Sequence, residues 1–117
     1  MKLKASALKT LESRLVLSLE LDVVLDYLRQ APELRQEVKL KSLVKFVLGE
    51  NNRSEYSALN RDIELQVGPD WFDRVVFRFL DIYQERFGPN ATIDRIAAGL
   101  ETIGLYATAL RLRENYT

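Results

Sequence analysis

The segment Trp71–Glu114 constrains the fold of this chain more than any other part of its sequence. It holds three amphipathic runs, separated by residues that typically end or begin helices: Gly88 and Pro89 after the first run, Thr92 before the second and Gly104 after it. Within each run, apolar residues recur in steps of three and four, which is the period of a helix with one buried face. The segment therefore predicts three consecutive helices with short connections.

The first of these three helices, with Asp70 as its N-cap, has an apolar face wide enough to contact two neighbours, and we expect it to be the central helix. Trp71 is expected to lie in the core with the other aromatic residues rather than to form a ligand platform. The predicted buried positions are Phe72, Val75, Val76, Phe79, Leu80, Tyr83 and Phe87 in the first helix, Ile93, Ile96, Ala97, Leu100 and Ile103 in the second, and Leu105, Ala109 and Leu112 in the third.

The N-terminal half predicts three further helices. The first covers Ala5–Gln30 and is either one long helix or two pieces split near Ser18, a possible cap. Alternation over Leu17–Val23 would also suit a strand, but the spacing of three and four across the whole segment favours a helix. A second helix should run from Pro32 to Gly49, and a shorter third from the N-cap Ser54 to before Gly68. Their predicted buried residues include Leu8, Leu11, Leu15, Leu40, Leu43, Val44, Val47, Tyr56, Leu59 and Ile63.

Length and composition bound the architecture. A chain of 117 residues, 47% of them hydrophobic, can bury one core and is too short for two. We therefore predict an all-α fold in which residues 1–117 form a single six-helix domain, and short connections predict roughly antiparallel neighbours. No apolar run approaches the roughly 20 residues that span a bilayer, and the N-terminus does not match a secretory signal, so we expect a cytoplasmic protein without membrane insertion.

The residue inventory disfavours catalysis and ion binding. Cys and His are both absent, which removes thiolate chemistry, the commonest metal ligand and the side chain best suited to proton transfer near neutral pH. Carboxylate pairs such as Asp62 with Glu64 are better explained by helix caps and helix dipoles. We expect no enzyme activity, cofactor, metal or small-molecule substrate. The 17 Lys and Arg balance the 17 Asp and Glu, so non-specific binding to nucleic acid or to an anionic membrane is also not expected.

The segment Trp71–Glu114 resembles helices four to six of the death-fold superfamily and is most similar to the C-terminal half of a death domain of the kind found in the Fas-associated adaptor. The resemblance is carried by the amphipathic run RVVFRFLDIYQERFG, by the connector Pro89–Thr92, and by the helix Ile93–Gly104. A death domain commonly has a Trp near its second helix, whereas here Trp71 starts the fourth, and Leu105–Thr108 stands where a death-effector domain would show Arg-x-Asp-Leu. The subfamily therefore stays open.

The resemblance implies a module without an active site that binds itself or other death-fold domains, as an adaptor in signalling, cell death or innate immunity. Head-to-tail association requires unlike charges on different faces, and the sequence offers Lys41 and Lys45 on the second helix against Asp62 and Glu64 on the third. The alternative is a solvated face with local pairs, such as Arg78 with Asp81, worth about 0.2–0.5 kcal/mol each. Exposed Tyr106 or Tyr116 could also anchor a partner. The candidate protein-binding residues are Lys41, Lys45, Asp62, Glu64, Arg74, Arg78, Asp81 and Glu85.

A second function remains open on the sequence. The segment Ile93–Arg113 can be written as a helix-turn-helix, with Gly99 or Gly104 near the turn and Arg111 and Arg113 on the second helix, which suggests a small DNA-binding regulator. The start of that second helix has few side chains that read bases, and the zero net charge would attract phosphates weakly.

Overall fold

Six α-helices make up most of the described part of the chain. The computed structural model describes residues 21–49 and 53–116, with the backbone alone at 53–56, 115 and 116, and these residues contain no β-strand. Over these described residues, the expected all-α class and the number of six helices are confirmed. The helices are α1 (Leu21–Arg29), α2 (Glu37–Leu48), α3 (Arg53–Leu65), α4 (Trp71–Phe87), α5 (Ile93–Thr102) and α6 (Tyr106–Tyr116), with short 3-10 turns at Pro32–Arg35 and Gly88–Asn90.

The central position predicted for the fourth helix follows from its contacts. α4 packs against α1 on one side and against α3 on the other, and it also touches α2. Six of its seven predicted core residues are buried, and Phe87 is half-buried; Trp71 is 8% exposed and belongs to the same core. The remaining contacts join α2 to α3 and α5, and α6 to α1 and α5. The wide apolar face of α4 is therefore covered by two neighbouring helices, as its width predicts.

Of the predicted first helix, Ala5–Gln30, the structure describes only residues from Leu21 onward. α1 is helical from Leu21, which supports the helical interpretation of Leu21–Val23 over the strand, and Leu21, Val24, Leu25 and Leu28 are buried. The predicted split near Ser18 and the predicted buried residues Leu8, Leu11 and Leu15 lie outside the described residues.

The second helix begins later than Pro32, so that prediction was wrong. Pro32–Arg35 form a separate 3-10 turn, Gln36 is extended, and α2 starts at Glu37. In one continuous helix, Leu34 would point roughly 130° away from the centre of the buried face formed by Leu40, Leu43, Val44 and Val47. The break at Gln36 lets Leu34 turn into the core, where it is fully buried, while the predicted face of α2 is buried as well.

Glycines mark three helix ends as predicted, and Gly88 directly follows α4. Gly49 follows α2 at φ 77° and donates its N–H to Lys45 O. Gly104 lies in the α5–α6 corner at φ 89°, a conformation that glycine adopts without the steric penalty of a side chain. There, Leu105 N donates to Leu100 O over 2.8 Å. α3 begins at Arg53, one residue before its predicted N-cap.

The two predicted caps in the C-terminal half behave differently. Thr92 caps α5, with its hydroxyl oxygen accepting from Arg95 N at 3.3 Å. Asp70 occupies the N-cap position of α4, but its side chain makes no capping hydrogen bond, so this part of the prediction was wrong. Asp70 Oδ1 instead accepts from Arg74 Nη1 at 3.1 Å, because an ion pair one turn away competes for the same carboxylate.

The buried hydroxyl of Tyr83 ties the end of α4 to the start of α5. It accepts a hydrogen bond from Thr92 N at 2.7 Å and donates one to Thr92 O at 3.0 Å. Burial raises the pKa of Tyr83 above its ordinary value of 10.0, because ionisation would place a charge in the core. Tyr83 is thus a core residue whose polar atom positions the connector that carries the α5 cap.

Tyr83→Phe is expected to lower the free energy of unfolding by about 2 kcal/mol, because it leaves the peptide groups of Thr92 without their partner while keeping the buried ring. Denaturant unfolding monitored by circular dichroism measures the change. Tyr106→Phe is the matched control, because Tyr106 is 66% exposed, and should change stability by less than about 0.5 kcal/mol. Equal effects of the two substitutions would contradict a structural role for the Tyr83 hydroxyl.

Candidate interaction surface

One face of α4 is turned to solvent along most of the helix. Five of the six exposed residues of α4 recur in steps of three and four on the side opposite the core face, as a helix with about 100° per residue requires. Four are charged, and the fifth is an aromatic ring that is 43% exposed. We call this surface the α4 stripe; its residues are Arg74, Phe77, Arg78, Asp81 and Glu85.

The basic half of the α4 stripe lies towards the start of the helix. Arg74 is anchored there, since Nη1 donates to Asp70 Oδ1 at 3.1 Å and Nη2 donates to Val67 O at 2.7 Å. Arg78 is held more loosely: its Nη1 lies 4.0 Å from Asp62 Oδ2, too far for a hydrogen bond, and its side chain is 59% exposed. The guanidinium of Arg78 is therefore largely available to a partner.

The acidic half of the α4 stripe makes no ion pair with the described residues. Asp81 and Glu85 are exposed, and the local pair of Arg78 with Asp81 considered above is not formed. Helix dipoles favour acidic residues at the start of a helix and basic residues at its end, yet Arg74 lies near the start of α4 and Glu85 near its end. The charge order of the α4 stripe therefore does not serve the stability of the isolated helix.

A groove runs beside the α4 stripe, between α3 and α4. It encloses about 340 Å³ and is lined by Ser57, Ala58, Arg61, Asp62 and Arg78. Two guanidinium groups share this groove with one carboxylate, so its lining carries an excess of positive charge. The predicted residue Asp62 thus lies next to Arg78.

The predicted residues Lys41 and Glu64 bind each other, which corrects the expectation that they belong to different faces. Lys41 Nζ, on α2, donates to Glu64 Oε1 on α3 and, at 2.9 Å, to Glu37 Oε1. The hydrogen bond to Glu64, followed by that to Glu37, raises the pKa of Lys41 above its ordinary value. Packing of α2 on α3 brings these charges together. Lys45, the other predicted residue of α2, is exposed.

Other ion pairs also join helices and so occupy their charges. Arg29 on α1 donates two hydrogen bonds of 3.0 Å to the carboxylate of Asp73 on α4, and this contact raises the pKa of Arg29. Arg113 on α6 donates to Glu101 Oε2 on α5 at 2.7 Å. These pairs explain why charge alone does not identify a docking surface: the α4 stripe differs in that its acidic half has no such partner among the described residues.

Two residues of this surface were not among the sequence-predicted candidates: Phe77 and Arg61. Phe77 was expected in the core with the other aromatic residues, but its ring is 43% exposed, because it lies three residues after Arg74 and four before Asp81, beside the charged residues of the helix. Arg61 carries no comparable signal, since its position beside Arg78 depends on how α3 packs on α4. Tyr106 is exposed as expected, whereas the side chain of Tyr116 lies outside the described residues.

Comparisons with protein-family models, curated proteins and solved structures gave no significant match to this chain. Across residues 21–49 and 53–116, no helix is long and apolar enough to cross a membrane. The same residues hold no cluster of acidic side chains arranged to bind a metal ion. The fold and the surface together define an all-α helical bundle with an exposed, charge-divided face on α4.

Proposed function

We propose that this chain is a non-enzymatic protein-interaction module that associates homotypically, as a single death-fold-like domain with antiparallel helices. In this role it recruits partners of the same fold, as an adaptor in cytoplasmic signalling, cell death or innate immunity. The resemblance of Trp71–Glu114 to the C-terminal half of a death domain supports the class of function. The order and number of the helices agree with it.

The observation that carries the proposal is the unused charge on the α4 stripe. Asp81 and Glu85 have no ion pair among the described residues, and Arg78 has only a contact of 4.0 Å. Unlike charges exposed side by side favour contact with a surface of complementary charge on another molecule. Because both signs are present on this chain, a second copy can supply that surface.

Light scattering of the purified chain, over a wide concentration range at low and high salt, tests the proposal. Homotypic association predicts a mean mass that rises with concentration and falls when salt screens the exposed charges. Binding to a panel of purified death-fold domains, measured by calorimetry, covers the case in which the natural partner is a different chain. A mass that stays monomeric under all conditions, with no binding to that panel, would rule the proposal out.

The helix-turn-helix alternative makes a different prediction. The chain should bind duplex DNA and retard it in a gel-shift assay, and this binding should weaken as salt rises. One of its two arginines is already engaged, because Arg113 is paired with Glu101 at 2.7 Å and lies 3.8 Å from Asp94. Arg111 remains exposed on α6. A strictly monomeric protein that shifts duplex DNA would favour this alternative over homotypic association.

A further inference from the structure

The charges of the α4 stripe have an internal symmetry. Arg78 and Asp81 lie equally far on either side of the midpoint between Phe79 and Leu80, and Arg74 and Glu85 are likewise equidistant from it. Each basic residue thus has an acidic counterpart at the mirrored position along the helix. All four side chains point to the same exposed face.

We infer that the α4 stripe is a self-complementary surface through which two copies of this chain bind around a twofold axis, with their α4 helices antiparallel. The inference rests on the proposed homotypic function and specifies its surface and symmetry. A twofold contact requires that residue i of one copy meet residue j of the other and the reverse. The twofold axis crosses the exposed face of α4 at the height of the midpoint between Phe79 and Leu80. Arg78 then meets Asp81 of the second copy, and Arg74 meets Glu85 of the second copy.

Phe77 lies at one edge of the α4 stripe, about 70° around the helix from the centre of the four charged residues. Its ring is 43% exposed. At this edge it flanks the inner ion pairs of the dimer, so association partly buries the ring and places an aromatic side chain beside the charges.

The inner ion pairs contribute more than the outer ones. Pairs near the axis tolerate a range of helix crossing angles, whereas Arg74 and Glu85 meet only if the two α4 helices cross at a shallow angle. Arg74 is moreover bound to Asp70 and to Val67 O already. Arg78 is less engaged, and Arg61 lines the same groove, so a carboxylate arriving there meets a second guanidinium.

The size of the surface limits its affinity. The α4 stripe spans about 17 Å from Arg74 to Glu85. A pair of helices in contact over that length buries less surface area than the interface of an obligate dimer. The association is therefore reversible and depends on concentration. Its ion pairs remain near solvent, and the dimer therefore weakens as salt rises.

Charge reversal on the full chain tests the symmetry. Arg78→Asp alone and Asp81→Arg alone each place like charges opposite one another, and each should raise the dimer dissociation constant about tenfold or more. The double variant carrying both changes restores opposite charges at both contacts and should dimerise with itself but not with the wild-type chain. An equimolar mixture of the two single variants should form the heterodimer. Sedimentation velocity measures all four cases.

The control is Arg111→Asp, the same charge change at an exposed position of α6, which should leave the dissociation constant unchanged. Circular dichroism and thermal unfolding verify that every variant is folded. If the wild type associates but neither single reversal weakens it, the inference fails and the proposed function stands. If the single reversals weaken association and neither the double variant nor the mixture restores it, the contact is not twofold. If the wild type neither self-associates nor binds other death-fold domains, both fail.

Discussion

Replacing Arg95 with alanine is expected to lower the free energy of unfolding by about 2–3 kcal/mol, a large effect for a partly exposed polar residue. Arg95 lies in the first turn of α5, and its guanidinium reaches the end of α2. There Nε donates to Val47 O at 2.9 Å and Nη2 donates to Phe46 O at 3.1 Å. Carbonyls in the last turn of a helix lack partners within that helix, so Arg95 satisfies two of them from a neighbouring helix.

Aromatic contacts add to the role of Arg95. Its guanidinium carbon lies 5.7 Å from the ring centroid of Phe46 and 5.5 Å from that of Phe87, distances at which a cation is attracted to an aromatic face. The positive charge also lies at the negative end of the α2 dipole. One side chain thus connects the end of α2, the end of α4 and the start of α5.

Arg95→Lys separates the charge from the hydrogen-bond geometry. Lysine keeps the positive charge near the end of α2 but cannot donate from two fixed positions, so we expect about half the loss seen with alanine. Chemical denaturation of the wild type, Arg95→Ala and Arg95→Lys measures both losses. The dependence of the unfolding free energy on denaturant concentration should be the same for all three if each unfolds in one step. A loss below about 0.5 kcal/mol for Arg95→Ala would contradict the assigned role.

Gly99→Val is expected to lower the free energy of unfolding by about 3 kcal/mol, because α5 packs too closely on α2 to accept a side chain there. A Cβ atom at Gly99 would lie 2.8 Å from Leu43 Cδ1, 3.1 Å from Phe46 Cδ1 and 3.3 Å from Val47 Cγ2. Leu43 is fully buried, so its side chain would have to shift within the packed core. The helix contact therefore depends on the missing side chain at Gly99.

The comparison with Gly99→Ala tests this explanation. Alanine gains about 1 kcal/mol of helix propensity over glycine, and overpacking of about 2 kcal/mol should outweigh that gain, for a net loss of about 1 kcal/mol. Combining Gly99→Val with Leu43→Val should cost less than the sum of the single losses, because shortening Leu43 makes room for the added atoms. Additive losses, or stabilisation by alanine, would mean that the two helices separate easily.

The prediction for the second helix failed because helix starts depend on more than local residues. Pro32 and Glu33 suit a first helical turn, and they do form one, but the chain then breaks at Gln36. That break is favoured by the burial of Leu34, which depends on where α2 lies relative to the core. Asp70 shows the same limit: its position as a cap was predictable, whereas its binding to Arg74 in place of a backbone N–H was not.

The candidate surface was predictable to a similar extent. Spacing alone places Arg74, Arg78, Asp81 and Glu85 on one exposed side of a helix, and the structure agrees. Their charge symmetry is also present in the sequence. The partnership of Lys41 with Glu64 joins residues far apart in the chain, and no local pattern reveals it.

The amino-acid sequence by itself determined the helical class, the approximate limits of most helices and which face of each is buried. These properties follow from apolar spacing, caps and glycines, which act over a few residues. Only the tertiary structure decided which charged side chains form ion pairs between helices and which remain available to bind a partner. Ion pairs such as Arg29 with Asp73 depend on the packing of distant segments, so their formation follows from the arrangement of the whole core.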